Sequence, residues 1–463
     1  MTTTRTLRLD QLVDAAGATV EIRVQADGTV AESWFAMDGL PRIEPLLVGR
    51  PVVDVPGIVE RVCGICPVAH HLAGVQALEA LAGTPPLTPT ADSLRRLLHH
   101  GAVLQTHAQR LAGVDASQAR ELGGFAGAVV AAAGGDSHFP RCAVPGGVLA
   151  PLPVARRDEL LGEVGRARVV ALELLGQVEA ACSPDVAMPT YAGHDIALVD
   201  ATGALDLYGD RLRAVGADGS ITVDGAEATD WPDLVAESRP GSPTPRPYLR
   251  SPGPGAGGYR VGPVAQLRAP VRLPTPLAEA ARQRWVGAGV GGEGGAAWAR
   301  AVVTLHVVEA IEELLRRPRL VAGPVLVTGG GPPRSQASGW VDGARGLLVH
   351  TYRTDGSGAL SAATITTPTA QNEAWLAGVL THLVHEDGPI DPGGVPPERL
   401  RAPLEAAVRM ADPCLPCTSQ PSGRMGVRVR VTDAREATLA SWLLEPATTD
   451  PTSDATAVTR EGC

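Results

Sequence analysis

Two pairs of cysteines constrain this sequence more than any other feature. Cys63 and Cys66 lie three positions apart in "RVCGICPVAH", and Cys414 and Cys417 repeat that spacing in "DPCLPC". The two pairs of a zinc ribbon lie roughly 15–20 residues apart, whereas 347 residues separate Cys66 from Cys414. A local ribbon is therefore excluded. The spacing leaves either one tetrathiolate site assembled from both ends of a folded chain, or two separate sites.

The residues beside both pairs favour thiolate chemistry. A helix predicted to begin at Pro67 places Cys66 at its N-terminus, where free amides and the helix dipole favour thiolate over thiol. His70 follows one turn later and can return toward that sulfur, although without the cysteines it would be interpreted as a core histidine. The prolines of "DPCLPC" prevent a helix, and Asp412 offers an acceptor for a cation. Soft thiolates select zinc, copper(I), iron–sulfur clusters or nickel, and spacing alone does not choose between them.

Composition excludes several classes of protein. All 40 basic residues are arginine, so the chain lacks the lysine that a phosphate-binding P-loop or Schiff-base chemistry requires. The net charge of −10 is spread along the chain, which argues against nucleic-acid binding. No signal-peptide pattern and no apolar run of about 18 residues is present. We therefore expect a soluble, cytoplasmic protein without membrane insertion, in which cysteine pairs serve metal or redox chemistry rather than disulfides.

The apolar periodicity predicts a helix-rich chain of the α+β class. A β-hairpin is expected over 19–35, where polar and apolar residues alternate around Asp27-Gly28. Residues 203–275 are rich in Gly and Pro and predict short strands and surface loop. If the cysteine pairs meet, one domain spans 1–445, and the polar tail 446–463 is predicted to be disordered. Helices are predicted over about 67–82, 91–112, 153–182, 296–317, 369–386 and 397–411.

The motifs R-x-C-G-x-C-x-x-x-H and D-P-C-x-x-C resemble the signatures of nickel–iron hydrogenase large subunits. Intervening segments such as "RIEPLLVGR", "ARGLLVHTY" and "TPTAQN" are similar to that family in sequence order, over roughly 13–433. The similarity is strongest to the cytoplasmic, bidirectional, pyridine-nucleotide-linked branch. The resemblance implies a central long-helix bundle with small sheets, reversible heterolytic cleavage of H2, an iron–sulfur small subunit, NAD(P)-reducing diaphorase subunits, and maturation proteins.

Carried over residue by residue, the resemblance implies that nickel is held by Cys63, Cys66, Cys414 and Cys417. Cys66 and Cys417 would also bridge to an iron that carries cyanide and carbon monoxide. Cys63 and Cys414 would be terminal ligands of nickel, and Cys414 would be the first proton acceptor. A terminal thiolate suits this role because its pKa is tunable, whereas a guanidinium is already protonated and accepts protons poorly.

The resemblance assigns further roles beside the cysteines. Arg345 matches an arginine that overhangs the metals, and Asp412 would orient it through a charge-assisted pair. Pro368 and Thr369 match positions that cradle and hydrogen-bond a cyanide, although a Thr at this place could simply be a helix N-cap. His70, within the first motif, is assigned to the catalytic site. Glu44 matches a carboxylate ligand of a magnesium or iron site.

The sequence departs from the family at two places. An N-terminal R-x-E-G-H usually supplies a proton-relay Glu, but residues 13–17 of this chain read "VDAAG", with alanine in the place of the Glu. Asp14, Glu21 or a water chain would have to replace it, or turnover would be reduced. Three residues after Cys417 the family has a His that closes the site at Glu44 and marks the maturation cleavage. Here Gln420, a weaker ligand for a hard cation, occupies that position.

Three functional hypotheses follow. The first is a working hydrogenase large subunit. The second is a hydrogenase-like subunit that keeps a thiolate metal site but turns over little H2 and serves as a scaffold or in another redox role. The third is a structural zinc tetrathiolate protein. Metal content separates the third from the others, and hydrogen–deuterium exchange separates the first from the second.

Overall fold

The computed structural model describes residues 17–37, 42–135, 138–182, 191–242, 244–415, 418 and 423–445. Several positions singled out in the sequence lie outside these residues. They are Asp14 and its neighbours, Cys417, Gln420 and the tail from 446. Their roles stay predictions.

The helical part of the protein is a bundle of long helices with shorter helices around it. Helices α4, α5, α6 and α10 pack against one another and bury Leu, Val and Ala side chains in the largest core cluster. The predicted long-helix bundle is therefore confirmed. The helices are α1 (Glu44–Leu47), α2 (Val55–Val59), α3 (Pro67–Ala82), α4 (Pro89–Leu111), α5 (Ala116–Gly134), α6 (Val154–Ala181), α7 (Trp231–Leu234), α8 (Pro263–Arg268), α9 (Pro276–Ala288), α10 (Gly292–Leu315), α11 (Pro368–Asp387) and α12 (Arg401–Ala411).

The strands form small sheets, which confirms the α+β class. The strands are β1 (Gly17–Val24), β2 (Val30–Phe35), β3 (Ala143–Val144), β4 (Gly147–Val148), β5 (His194–Val199), β6 (Arg211–Gly216), β7 (Ile221–Ala226), β8 (Val235–Glu237), β9 (Pro247–Leu249), β10 (Tyr259–Arg260), β11 (Gln336–Gly343), β12 (Gly346–Thr354), β13 (Leu360–Thr366), β14 (Gly426–Thr432) and β15 (Thr438–Leu444). The larger sheets have the orders β15-β14-β1-β2, β10-β5-β6-β7 and β11-β12-β13. In the first sheet β1 pairs in parallel with β14, so the two ends of the described chain meet.

The predicted hairpin is confirmed as β1 and β2, joined by a turn in which Gly28 has a φ of 82°. Helix α3 has the predicted bounds 67–82. The prediction is wrong over 116–134, where no helix was expected and the structure has helix α5. Its sequence contains four glycines, which have low intrinsic helix propensity, and Asp115 caps it by accepting from the amides of Ser117 and Gln118, both at 2.9 Å. No described helix has both the length and the apolar character needed to cross a bilayer.

Candidate metal centre

Cysteines from both ends of the chain meet at one point. Cys63 and Cys66 lie on the loop that enters α3, and Cys414 lies on the loop that leaves α12. The Sγ of Cys414 is 3.0 Å from the Sγ of Cys63 and 3.6 Å from the Sγ of Cys66. A ring nitrogen of His70 lies within 4.8 Å of both sulfurs of the first pair. The described part of the chain thus contains one three-thiol cluster, as the single-site alternative requires; the fourth cysteine, Cys417, lies outside it.

The local backbone explains the position of the first pair. Pro67 occupies the first turn of α3, and Cys66 is its N-cap with a φ of −131° and no side-chain cap. The sulfur of Cys66 is therefore free to face the cluster rather than the helix amides. The amide of His70 donates to the carbonyl oxygen of Cys66 at 3.3 Å, which places the His70 ring one turn above the loop. The loop that carries Cys63 and Cys66 thus leads directly into α3.

The loop that carries Cys414 begins with a strained residue. Asp412 terminates α12 with a φ of 44°, in the left-handed region that an L-residue rarely adopts. Three guanidinium groups, that of buried Arg345 and those of the half-buried Arg110 and Arg300, hold its carboxylate. Arg110 and Arg300 approach it to 2.9 and 3.1 Å, and Nε of Arg345 lies 3.5 Å from Oδ1. This carboxylate therefore joins α4, α10 and the Arg345 turn to the cysteine loop.

Arg110 has a second contact with the same loop. Its Nη2 donates to the hydroxyl of Thr418 at 2.7 Å, and its Nη1 donates to the Thr418 carbonyl oxygen. The hydroxyl of Thr418 in turn donates back to the loop carbonyls of Pro413 and Leu415, at 3.2 and 3.0 Å. Arg110 thus contacts the loop before Cys414, at Asp412, and after it, at Thr418.

Replacing Arg110 with methionine should lower the free energy of unfolding of the metal-free full chain by about 2–4 kcal/mol, because a buried ion pair and its hydrogen bonds are lost. Urea denaturation measures this value. The control is Arg166→Met, whose pair with Glu121 is solvent-exposed and should leave stability nearly unchanged. Equal effects of the two substitutions would show that Arg110 does not brace the loop.

Three side chains fix the turn between β11 and β12 that carries Arg345. His99 Nε2 donates to the carbonyl oxygen of Asp342 at 2.9 Å, Gln266 Nε2 to that of Gly343 at 2.9 Å, and His107 Nε2 to that of Ala344 at 3.1 Å. All three donors are buried. Consecutive carbonyls are therefore anchored to α4 and α8, and Arg345 projects from a rigid turn rather than from a mobile loop.

Glycine is required directly after Arg345. Gly346 has a φ of 118°, and a Cβ atom there would lie 2.5 Å from the amide nitrogen of Gly262. Only a residue without a side chain permits both this backbone conformation and this close approach. The Gly that follows Arg345 in "ARGLL" is thus explained by packing of the turn.

The charges at the centre favour anionic ligands. Burial raises the pKa of Asp412, but the guanidinium groups of Arg345, Arg300 and Arg110 outweigh it and hold this pKa well below its usual range. Burial lowers the pKa of Arg345, but Asp412 and then the three cysteines outweigh it and raise it. Three cations therefore face one carboxylate. Nε and Nη2 of Arg345 have no hydrogen-bond partner among the described residues, and such orphaned donors fit a site built to hold thiolates and an anionic metal group.

The thiols of the cluster differ in the direction in which their pKa values are shifted. Hydrogen bonds from Cys414 and then from Cys66 lower the pKa of Cys63. Hydrogen bonding to Cys414, reinforced by burial and like charge, raises the pKa of Cys66. Ionisation of one thiol therefore disfavours ionisation of its neighbours, and a cation is needed to ionise all three together.

Pro368 and Thr369 open α11 beside the cysteines. The hydroxyl oxygen of Thr369 accepts from the backbone amide of Cys414 at 2.9 Å, while Thr367 is the residue that caps the helix, accepting from the amide of Ala370 at 3.2 Å. The N-cap alternative for Thr369 is therefore wrong. Thr369 instead joins α11 to the cysteine loop and keeps its hydroxyl hydrogen for another acceptor.

Replacing Thr369 with valine should leave the half-buried Cys414 amide unpaired and lower the free energy of unfolding by about 1–3 kcal/mol. Thr369→Ser keeps the hydroxyl and should restore most of that stability. Urea denaturation of the metal-free chain distinguishes the two variants. A valine variant as stable as the serine variant would contradict the assigned hydrogen bond.

A cavity of about 780 Å³ opens beside the cysteines. Its lining includes Glu44 in the first turn of α1, where Arg42 lies 3.4 Å away as a surface ion-pair partner. Glu21, one of the expected relay substitutes, is absent from that lining and pairs instead with Arg430 across β1 and β14. A relay through Glu21 is therefore not supported. The cavity lining also includes Cys63, Cys66, His70, Arg345, Pro368, Thr369 and Cys414.

Comparison with known proteins identifies the family. Residues 42–112 match the nickel-dependent hydrogenase family. The chain is 29% identical to the NAD-reducing hydrogenase HoxS subunit beta of Cupriavidus necator, over 90% of this chain and 94% of that protein. It is 30% identical to one component of the vhu F420-non-reducing hydrogenase of Methanococcus voltae, over 76% of this chain and 91% of that protein.

Comparison with solved structures supports the same family. The fold matches an NAD+-reducing [NiFe]-hydrogenase in its H2-reduced state with a TM-score of 0.76 and 31% identity, covering 86% of this chain and 95% of that one. A Ni-Fe-Se hydrogenase from D. vulgaris Hildenborough shares the fold with a TM-score of 0.63 and 19% identity, covering 86% of this chain and 98% of that one. The fold and the three-thiol cluster together agree with the large subunit of a nickel-dependent hydrogenase. The chain belongs to the nickel-dependent hydrogenase family.

Several residues of the centre were not predicted from the sequence. Arg110 and Arg300 complete the cluster around Asp412, and His350 contacts His70 with a separation of 3.0 Å between ring nitrogens. Arg300 did carry a usable signal, since it stands in the apolar helix sequence "AWARAVVTLHVV". A charged residue there is buried only if it is paired.

Proposed function

We propose that this chain is the catalytic large subunit of a nickel–iron hydrogenase that cleaves H2 reversibly into protons and electrons. One arrangement carries the proposal: three thiols from opposite ends of the chain border an open cavity beside a guanidinium group with orphaned donors. A structural zinc site is closed by four ligands, so an open cavity beside the sulfurs favours catalysis over the zinc hypothesis.

The residues present fit the proposed metals. Nickel would be held by Cys63, Cys66, Cys414 and Cys417, with Cys66 and Cys417 also binding an iron that carries cyanide and carbon monoxide. When bound, the two metals supply the Lewis acidity and the redox capacity that splitting of H2 requires. Pro368 and Thr369 would cradle a cyanide, a role that the free hydroxyl hydrogen of Thr369 supports. Glu44 would contribute a carboxylate to a magnesium site.

The side chains of Cys414, Asp412 and Arg345 would have distinct roles in the reaction. Cys414 would accept the proton at its sulfur, because the pKa of a thiolate is tunable, whereas the guanidinium of Arg345 is already protonated. Asp412 holds Arg345 at 3.5 Å and so presents a fixed positive charge toward that sulfur. Burial of Asp412 and Arg345 excludes water from the pair, which strengthens their electrostatic effect.

Electrons have to leave through another protein. Four of the seven cysteines are assigned to the metals, which leaves Cys142, Cys182 and Cys463. An iron–sulfur cluster needs about four thiolates, so these three do not build an electron relay. We propose an iron–sulfur small subunit, NAD(P)-reducing diaphorase subunits and maturation proteins as partners, and a cytoplasmic location. We also propose that 1–445 is one domain.

Formation of HD from H2 in D2O tests the function directly, because this exchange needs no electron acceptor. The assembled complex, loaded with nickel in its own host, should produce HD. A nickel-loaded complex that produces none would favour the scaffold hypothesis. Zinc without nickel in the purified complex would favour the structural hypothesis.

A further inference from the structure

The last two strands that the structure describes belong to the core, although they follow the cysteine loop in sequence. Strand β14 lies in the interior of its sheet, between β15 and β1. Its residues 426–432 pair in parallel with residues 17–23 of β1, and residues 427–432 pair with β15 on the other side. An interior strand is hydrogen-bonded along both edges, so it cannot leave the sheet without breaking two rows of backbone hydrogen bonds.

One face of β14 is completely buried. Val427, Val429 and Val431 each have an exposed fraction of 0%, and they share a core cluster with side chains of α11 and α12. These two helices position the metal centre, because Thr369 lies in the first turn of α11 and α12 ends at the loop of Cys414. The strand after the cysteine loop therefore shares one core with the helices on either side of the cysteines.

Helix α12 also holds the chain on the far side of the cysteine loop. The buried carboxylate of Glu405 accepts from the backbone amide of Gly423 at 2.8 Å. Arg401 and Arg409 hold the same carboxylate, at 2.9 and 2.7 Å. The loop that leaves α12 at Asp412 thus returns to α12 at Gly423, and it stays closed as long as the chain from Gly423 onward remains in place.

We propose that residues 423–445 are a permanent part of the nickel-loaded subunit, in which they hold the loop of Cys414 closed. A segment that can be removed is expected to lie at the surface with few backbone hydrogen bonds, which does not describe β14. Its removal would leave one edge of β1 unpaired and would expose apolar side chains of the shared core to water. In the sequence, Gln420 in place of the histidine that marks cleavage agrees with the proposal. The proposal rests on the proposed function only in naming nickel as the metal.

Hydrogen exchange of the metal-free full chain, read by mass spectrometry of its peptides, tests whether β14 belongs to the core. Amides of β14 should exchange as slowly as those of β1, because both are released only when the sheet unfolds. The reference is the exposed turn 217–220 between β6 and β7, which should exchange at least roughly a hundredfold faster. Exchange of β14 as fast as this turn would overturn the proposal, and the measurement requires no variant to fold.

The length of the chain in the nickel-loaded complex, purified from its own host, tests permanence. We expect peptides from 423–445 in the same amount per chain as peptides from α3. A nickel-loaded chain that ends before Gly423 would overturn the proposal. Retained residues in a nickel-loaded complex that forms no HD would count against the proposed function alone, whereas HD formation by a shortened chain would count against this proposal alone.

A pair of variants tests whether the strand holds the loop closed. Val429→Asp places an unpaired charge on the buried face of β14, so the complex should lose nickel. Leu439→Asp is the matched control, because Leu439 lies on β15 with an exposed fraction of 47%, and it should keep nickel at the wild-type level. Equal nickel content in the control and in a folded Val429→Asp would overturn the proposed role of the strand.

Discussion

Replacing Cys414 with serine should reduce HD formation to the level of protein without nickel. The substitution removes a soft ligand that the metal prefers and replaces the proposed proton acceptor with a hydroxyl of much higher pKa. The contacts around the residue are otherwise kept, because the amide of Cys414 still donates to Thr369. Gas analysis of HD, together with nickel content per chain, measures both consequences.

Cys142→Ser is the matched control. Cys142 is half-buried, and burial raises its pKa to about 11, so it remains a thiol and not a ligand. This variant should keep both nickel and HD formation. Wild-type activity in Cys414→Ser would contradict the assignment of Cys414 as ligand and base, whereas loss in both variants would point to misfolding.

Replacing Arg345 with glutamine should lower turnover by about 10²- to 10³-fold, the usual effect of removing one preorganised electrostatic group. Nickel content should stay at the wild-type level, because Arg345 is not a ligand. Arg345→Lys restores the charge but not the planar donor group, so it should recover part of the rate. HD formation across a pH series measures both variants.

The pH series also separates a fixed charge from a base. Because lysine and arginine both stay protonated near neutral pH, the profile of Arg345→Lys should keep the wild-type shape. A new limb in which the rate rises as the lysine loses its proton would show that position 345 acts as a base, whereas a fixed charge would lose rate there. Arg268→Gln, a half-exposed arginine 3.9 Å from Asp195, is the control and should keep the full rate.

Local signals predicted the elements that position the first cysteine pair. Pro67 fits the first helical turn, and Gly83 ends α3 in the left-handed conformation with a φ of 64°. Both signals act within a few residues, so they can be interpreted without tertiary structure. Helix α5 was missed because its four glycines have low intrinsic helix propensity, whereas packing against α4 and α6 stabilises it.

The motifs predicted which cysteines meet, but not what holds them there. The pairing of Arg110 and Arg300 with Asp412 joins positions more than a hundred residues apart along the chain. Their approach depends on how α4 and α10 pack, and no short pattern encodes that packing. The side chains that hold the Arg345 turn were missed for a similar reason. A buried side chain that donates to a backbone carbonyl follows no distinctive sequence motif, and this applies to His99, His107 and Gln266.

Infrared spectroscopy of the complex purified from its own host tests the central claim most directly. The experiment records the spectral window in which cyanide and carbon monoxide absorb strongly and protein groups do not. We expect bands of both ligands in the wild-type complex and in Cys142→Ser, and none in Cys414→Ser. A wild-type complex with no such bands, and with zinc in place of nickel, would contradict the claim that these cysteines hold a nickel–iron centre.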